Sequence, residues 1–148
     1  MNSSTRKIRQ ASMGDLEQLL RLLHQLSPPK NEKPFHSAEH VINYMLHDPQ
    51  YHLNVYLLDD GRLVGTSMLL VQHNFSHGGR PVGHIENVVA DEPLRGYGIG
   101  KALVENQLRV ARERGCYKVI IDCSVANTPF YEKCGLHKTG EVEMRIDI

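Results

Sequence analysis

The run Arg95-Gly96-Tyr97-Gly98-Ile99-Gly100-Lys101 holds the densest chemical signal in this sequence. Glycines at alternate positions let the backbone come close to a ligand and turn successive N–H groups inward. A helix opening at this point adds the unpaired amides of its first turn and the positive end of its dipole. Such a nest suits a pyrophosphate, and Arg95 and Lys101 place full charges at its two ends. A Walker P-loop is excluded, because Arg95 stands five positions before Gly100 and Ala102 follows Lys101. A Rossmann fingerprint is Gly-x-Gly-x-x-Gly on a first strand, whereas this is Gly-x-Gly-x-Gly, far along the chain.

Two other patterns carry less. His36-Ser37-Ala38-Glu39-His40 has the His-x-x-Glu-His form of a zinc peptidase. Ser37 as a helix cap would leave His36 outside the helix, so the two imidazoles need not share a face, and no third ligand is evident. The pattern reads as chance, with His40 a surface residue, and no metal is expected. Cys116, Cys123 and Cys134 are odd in number and lack Cys-x-x-Cys spacing, which argues against a disulfide framework or a zinc site.

The elements that must position the glycine turn follow from periodicity and punctuation. Thr5 to Gln10 suits a first strand. Ser12 with Asp15 forms a capping box that opens a helix, with Leu16, Leu19, Leu20 and Leu23 at helical spacing before Pro28-Pro29. Ser37 caps a second helix, closed by Asp48-Pro49. His52 to Leu58 and Leu63 to Val71 form a hairpin across Asp60-Gly61. An exposed loop at 74–81 leads to a third long strand, Val82 to Ala90. The helix after the glycine turn ends at Gly115, and Val119 to Ile121 is a short buried strand. Pro129 and Gly135 bracket a last helix, and Thr139 to Ile148 supplies a final strand. A hairpin-rich first half and a β-α-β second half predict an α/β fold: one mixed, mostly antiparallel sheet with helices on both faces, in a single domain over 1–148.

Taken together, these residues resemble the coenzyme A signature of the GNAT superfamily of N-acetyltransferases. Arg95, Gly98 and Gly100 fill its fixed positions, Asn127 and Tyr131 match further along, and the order of elements is similar across nearly the whole chain. Two runs, Gly83-His84-Ile85-Glu86-Asn87-Val88-Val89 and Cys116-Tyr117-Lys118-Val119-Ile120-Ile121-Asp122-Cys123, are similar to the glucosamine 6-phosphate N-acetyltransferase branch. The resemblance implies the GNAT acyl-CoA N-acyltransferase fold, acetyl-CoA as co-substrate, and a homodimer. It places the coenzyme on Val88, Val89, Arg95, Gly96, Tyr97, Gly98, Ile99, Gly100, Lys101, Asn127 and Tyr131. The Val88 N–H would polarise the thioester carbonyl, Glu86 would act as base through water, and Tyr131 would be the acid for the departing thiolate. Asp122 would orient the amine, while His77, Glu86, Asn87, Tyr117 and Lys118 would meet the acceptor.

The chain departs from that branch at two places. Asn87 stands where the branch has an aspartate, and Asp147 stands where fungal members place a basic phosphate contact, with Arg145 two residues away on the same strand face. The acceptor reading is therefore a small primary amine, with glucosamine 6-phosphate as the named candidate. A polyamine, an aminoglycoside or a protein lysine is a second acceptor class, and a non-catalytic acyl-CoA sensor is a third reading. Seventeen basic residues against seventeen acidic ones argue against a nucleic-acid partner. No signal-peptide h-region and no apolar run of roughly 18–20 residues is present, so a soluble, cytoplasmic protein without a membrane partner is expected.

Overall fold

The computed structural model describes residues 7–148. Its centre is a five-stranded sheet in the order β1-β2-β3-β4-β5. The strands are β1 (Lys7–Gln10), β2 (Tyr51–Leu57), β3 (Leu63–Gln72), β4 (Val82–Ala90) and β5 (Lys118–Ile120). Successive pairs are antiparallel except the last, β4 with β5, which is parallel. The expected mixed sheet is present. Of the first expected strand, Thr5 and Arg6 lie outside the described residues.

Two helices lie on one face, α1 (Leu16–Leu26) and α2 (Ala38–His47). The capping box that begins this segment is formed: the Ser12 N–H donates to Asp15 Oδ2 at 2.8 Å. Arg9 of β1 then grips the same carboxylate at 2.7 and 3.0 Å. Leu19, Leu22 and Ile42 bury against Leu53, Val55 and Met68 of the sheet. The Ser37 hydroxyl accepts the His40 N–H at 3.1 Å and starts α2.

The opposite face carries α4 (Ile99–Glu113) and, beyond it, α5 (Thr128–Lys133). A four-residue turn, α3 (Ser76–Gly79), interrupts what the polarity of 74–81 alone reads as plain loop. Leu103 and Val104 of α4 are fully buried against the sheet. Gly65 of β3 allows this close approach: a Cβ there would lie 2.7 Å from Ile99 Cγ2 and 2.9 Å from Leu103 Cδ1.

One expected element is absent among the described residues. There, residues 139–148 pair with no strand, although Val142, Met144, Ile146 and Ile148 alternate as a strand face would and are all exposed. Alternation specifies a face, but a strand also needs a free edge for its backbone groups, and the tail reaches none among the described residues.

Candidate active site

The β4–β5 pair opens partway along its length. It is registered only through Val82↔Lys118, Gly83↔Val119 and His84↔Ile120, after which β4 continues alone to Ala90. On its other side β4 carries a bulge: Met68 pairs with Glu86 and Thr66 with Val89, so Asn87 and Val88 together face the one residue between, Ser67. Asn87 supports the bulge with φ 54°, in the left-handed region. Asparagine is among the few side chains that tolerate that conformation. The sequence marks Asn87 for its missing charge; its backbone role is not visible there. The result is a slot between diverging strands, with a distorted, unladdered backbone segment on its wall.

Residues on the two faces of the slot differ in character. Val88 packs with Ile121, Phe130 and Tyr131 in the apolar cluster under α4 and α5. Glu86 pairs with Met68, whose side chain belongs to the α1–α2 core, so the carboxylate emerges on the opposite face. His84, Lys118 and Ile120 share that face by register. Glu86 and Asp122 are exposed and make no hydrogen bond or ion pair among the described residues. Tyr131 is half-buried, and burial, with smaller contributions from Cys123 and Cys134, pushes its phenol up to about 12.

The glycine turn sits at the N-terminus of α4. Gly96 and Gly98 have φ of 88° and 84°, and a Cβ on either would meet nothing within 4 Å, so the concave side of the turn is open. Ala102 N–H is bonded back to Gly98 O at 3.0 Å, so the amides of the preceding residues have no carbonyl one turn back and face out of the helix end. An open, amide-lined concavity of this kind fits a pyrophosphate. Arg95 and Lys101 flank it, the first touching Ala90 O at 3.3 Å and the second 3.6 Å from Glu105. Tyr97 is exposed, Ile99 is buried in the core and Val89 is buried behind the bulge. Gly100 makes a packing contact as well. Its Cβ would lie 3.2 Å from Phe130 Cζ, so it is the contact point that seats α5, and with it Tyr131, beside the turn. Asn127 precedes α5 and is exposed.

The acceptor candidates at the far end of the slot also come together. The His77 and Tyr117 rings stack at 3.9 Å, Asn74 Nδ2 donates to the Tyr117 hydroxyl at 3.2 Å, and Lys118 Nζ lies 5.5 Å from the Tyr117 ring centre. His77 is held in the left-handed region, φ 53°. Arg80 pins the same loop by donating to the carbonyls of Gly115 and Cys116. His77 is thus exposed and yet held in a cluster by its stacking on Tyr117.

His36 lies before the Ser37 cap and outside α2, His40 is exposed, and the two rings stack at 4.4 Å. They line an apolar cavity with Tyr44 and Tyr51, and no group of three metal-ligating side chains exists among the described residues.

Comparison with known proteins decides what this slot-and-turn belongs to. Residues 16–136 match the Acetyltransferase (GNAT) family. The chain belongs to that family. It is 50% identical over 88 residues to a glucosamine 6-phosphate N-acetyltransferase of Trypanosoma brucei brucei, covering 60% of this chain and 59% of that one. It is 39% identical over 135 residues to glucosamine 6-phosphate N-acetyltransferase 1 of Oryza sativa subsp. japonica, covering 87% and 79% respectively. The chain thus spans under two-thirds of the trypanosome protein and more of the rice one. The crystal structure of an acetyltransferase from Trypanosoma brucei superposes with a TM-score of 0.83 at 39% identity, over 96% of this chain and 99% of that one. The fold is therefore the GNAT fold, whose members use acetyl-CoA as co-substrate.

Proposed function

We propose that this GNAT-family chain transfers the acetyl group of acetyl-CoA to a primary amine, with glucosamine 6-phosphate as acceptor. The observation that carries the reading is the slot: it opens through the sheet, with the glycine turn and Tyr131 on one side and Glu86 and Lys118 on the other. The coenzyme supplies an acetyl thioester. Gly96 to Lys101 hold its pyrophosphate, with Arg95 and Asn127 at the margins. The bulge at Asn87 aims the Val88 N–H at the thioester carbonyl oxygen, where negative charge develops on attack. Glu86, exposed and unpaired, takes the ammonium proton through water, and Asp122 orients the amine. Direct attack needs nucleophile and carbonyl within roughly 3–3.5 Å, and an acceptor entering from the Glu86 face meets the thioester inside the slot.

Tyr131 is the donor to the departing sulfur. A phenol at about 12 stays protonated at neutral pH, and it lies further above an ordinary thiol (~8.5) than an unperturbed phenol does. Its contribution is therefore a hydrogen bond to the sulfur as charge builds, with full proton transfer late.

Lys118 lies on the same face as Glu86, four residues along β4 and one strand over, roughly 14 Å between Cα atoms. Two long side chains reaching toward each other across that span leave room for one sugar phosphate. His77 and Tyr117 form an aromatic wall beside Lys118. The exposed alternating tail, residues 142–148, supports a homodimer in which it gains from a partner copy the strand pairing it lacks here.

A second acceptor has one observation in its favour. Arg145 is bonded to Asp147, which occupies the cation that could replace the missing phosphate contact, and Asn87 is neutral. The deciding experiment is acetyl transfer to glucosamine 6-phosphate against free glucosamine. Preference for the phosphosugar supports the named acceptor, and equal poor use of both sends the assignment to another amine.

A further inference from the structure

Outside the slot, the described residues form a second polar cleft. It lies between α4 and the β1–β2 edge, with a volume of about 160 Å3. Its floor is the cross-strand pair Gln10↔Asn54, and its roof is Asn106, Arg109 and Val110, which lie at i, i+3 and i+4 on one face of α4. We propose that this cleft binds a small oxyanion of the phosphate class. The claim is independent of the acetyl-transfer reading.

Three observations carry it. Asn54 is only 8% exposed overall, and its side-chain amide lines the cleft without a hydrogen bond among the described residues. The amide keeps solvent contact there, so it is available to pair with something that enters the cleft. Second, the polar side chains there offer N–H donors. Asn106 has its oxygen occupied by Arg109 at 3.0 Å, leaving its NH2 free. His52 accepts from Arg114 through Nε2 at 2.7 Å; because a guanidinium can only donate, the ring proton sits on Nδ1. Burial, and then the Arg114 charge, hold the His52 pKa below its ordinary value, so the ring is a neutral donor. Third, no carboxylate lines the cleft. Of the acids on the elements around it, Glu105 pairs with Lys101, Glu113 pairs with Arg109 and Asp15 pairs with Arg9. Arg114 has no acidic partner among the described residues: it binds Pro49 O, Gln50 and His52.

The size is suitable. A water needs about 10–15 Å3 of such space, so the cleft has room for a tetrahedral oxyanion with part of its hydration. The cleft is also distinct from the glycine turn, about ten residues back along α4 and thus roughly 15 Å away. Gln107, fully buried, ties roof to floor by donating to His52 O and to Ser67 O and Oγ at 3.0–3.1 Å, so an anion would bridge two surfaces that are already held in register.

The test is a titration of inorganic phosphate into full-length protein saturated with coenzyme A, followed by the side-chain amide and arginine Nε signals in 15N NMR, with sodium chloride at matched ionic strength as reference. The expected result is a saturating shift of the Asn54, Gln10 and Asn106 amides that chloride does not produce. Arg109→Ala, at an exposed position, should weaken it at least tenfold, and Asn54→Leu should abolish it. Shifts that rise linearly and match those of chloride, or that are confined to the glycine turn and Lys118, would overturn the proposal. A saturating shift unchanged in both variants would do the same.

Discussion

Asn87 and Tyr131 carry the sharpest residue-level expectations. At Asn87 the sequence shows a lost carboxylate, whereas the structure shows a backbone requirement, φ 54°. Asn87→Gly and Asn87→Asp should therefore keep the bulge. Asn87→Val should destabilise by about 1–2 kcal/mol, the cost of the left-handed region for a branched residue, and lower kcat by displacing the Val88 N–H. Thermal melts with steady-state rates for the three variants check this; a fully active Asn87→Val protein would remove the bulge from the mechanism. Tyr131→Phe should lower kcat by roughly 10²-fold or more while coenzyme affinity, read by calorimetry, stays within about twofold. Because the phenol sits at about 12, it is protonated throughout the working range. The kcat profile should accordingly show no alkaline decline from this residue below about pH 11, and a decline near pH 10 that vanishes in Tyr131→Phe would contradict the assignment.

Among the elements, α4 and the N-terminal cap hold the site in place by different means. Gly65→Val should push α4 off the sheet, since a Cβ there already meets Ile99 and Leu103 side chains inside 3 Å. A loss of about 1–3 kcal/mol is expected from such overpacking, along with weaker coenzyme binding, because the displaced helix carries the glycine turn. Asp15 accepts from Arg9 and Ser12, and those bonds, Arg9's first, hold its carboxyl below the usual range. Its stabilisation is complete above the ordinary carboxylate pKa and drains away as pH falls through the lowered folded value. Asp15→Asn should cost roughly 1–2 kcal/mol at neutral pH, with the gap in Tm narrowing as pH falls below the ordinary carboxylate pKa of about 3.9; a gap independent of pH would refute the ion-pair account. Gly65 was readable in principle, since an isolated glycine within a strand signals close backbone approach, but which helix approaches it is a tertiary fact. The hairpin, both capped helices and the glycine turn were legible because each is dictated by local chemistry. The bulge was not, because it exists only in the pairing of two strands, and the packing of Gly100 against Phe130 was not, because the two are thirty positions apart in sequence.

At the scale of the whole molecule, the sheet provides three things: a slot, a cradle at one helix end, and a tail without an edge to pair with. The final strand was expected from alternation alone, yet alternation cannot say which chain supplies the partner. If the tail pairs across a dimer, Val142→Asp with Ile146→Asp should shift the protein from dimer to monomer in light scattering. An unchanged mass would leave the tail no role in assembly. In the proposed two-sided arrangement, the coenzyme occupies the α4–α5 side of the slot and the amine enters from the Glu86 side. This arrangement is tested most directly by measuring thiol release from acetyl-CoA alongside N-acetylated product, with glucosamine 6-phosphate as acceptor and coenzyme binding followed in parallel. One thiol is expected for each amine acetylated, and Glu86→Gln should sharply lower turnover while leaving the coenzyme Kd unchanged. Tight coenzyme binding without thiol release for this sugar or any polyamine, aminoglycoside or lysine peptide would contradict it, and would leave a coenzyme-binding protein that performs no transfer.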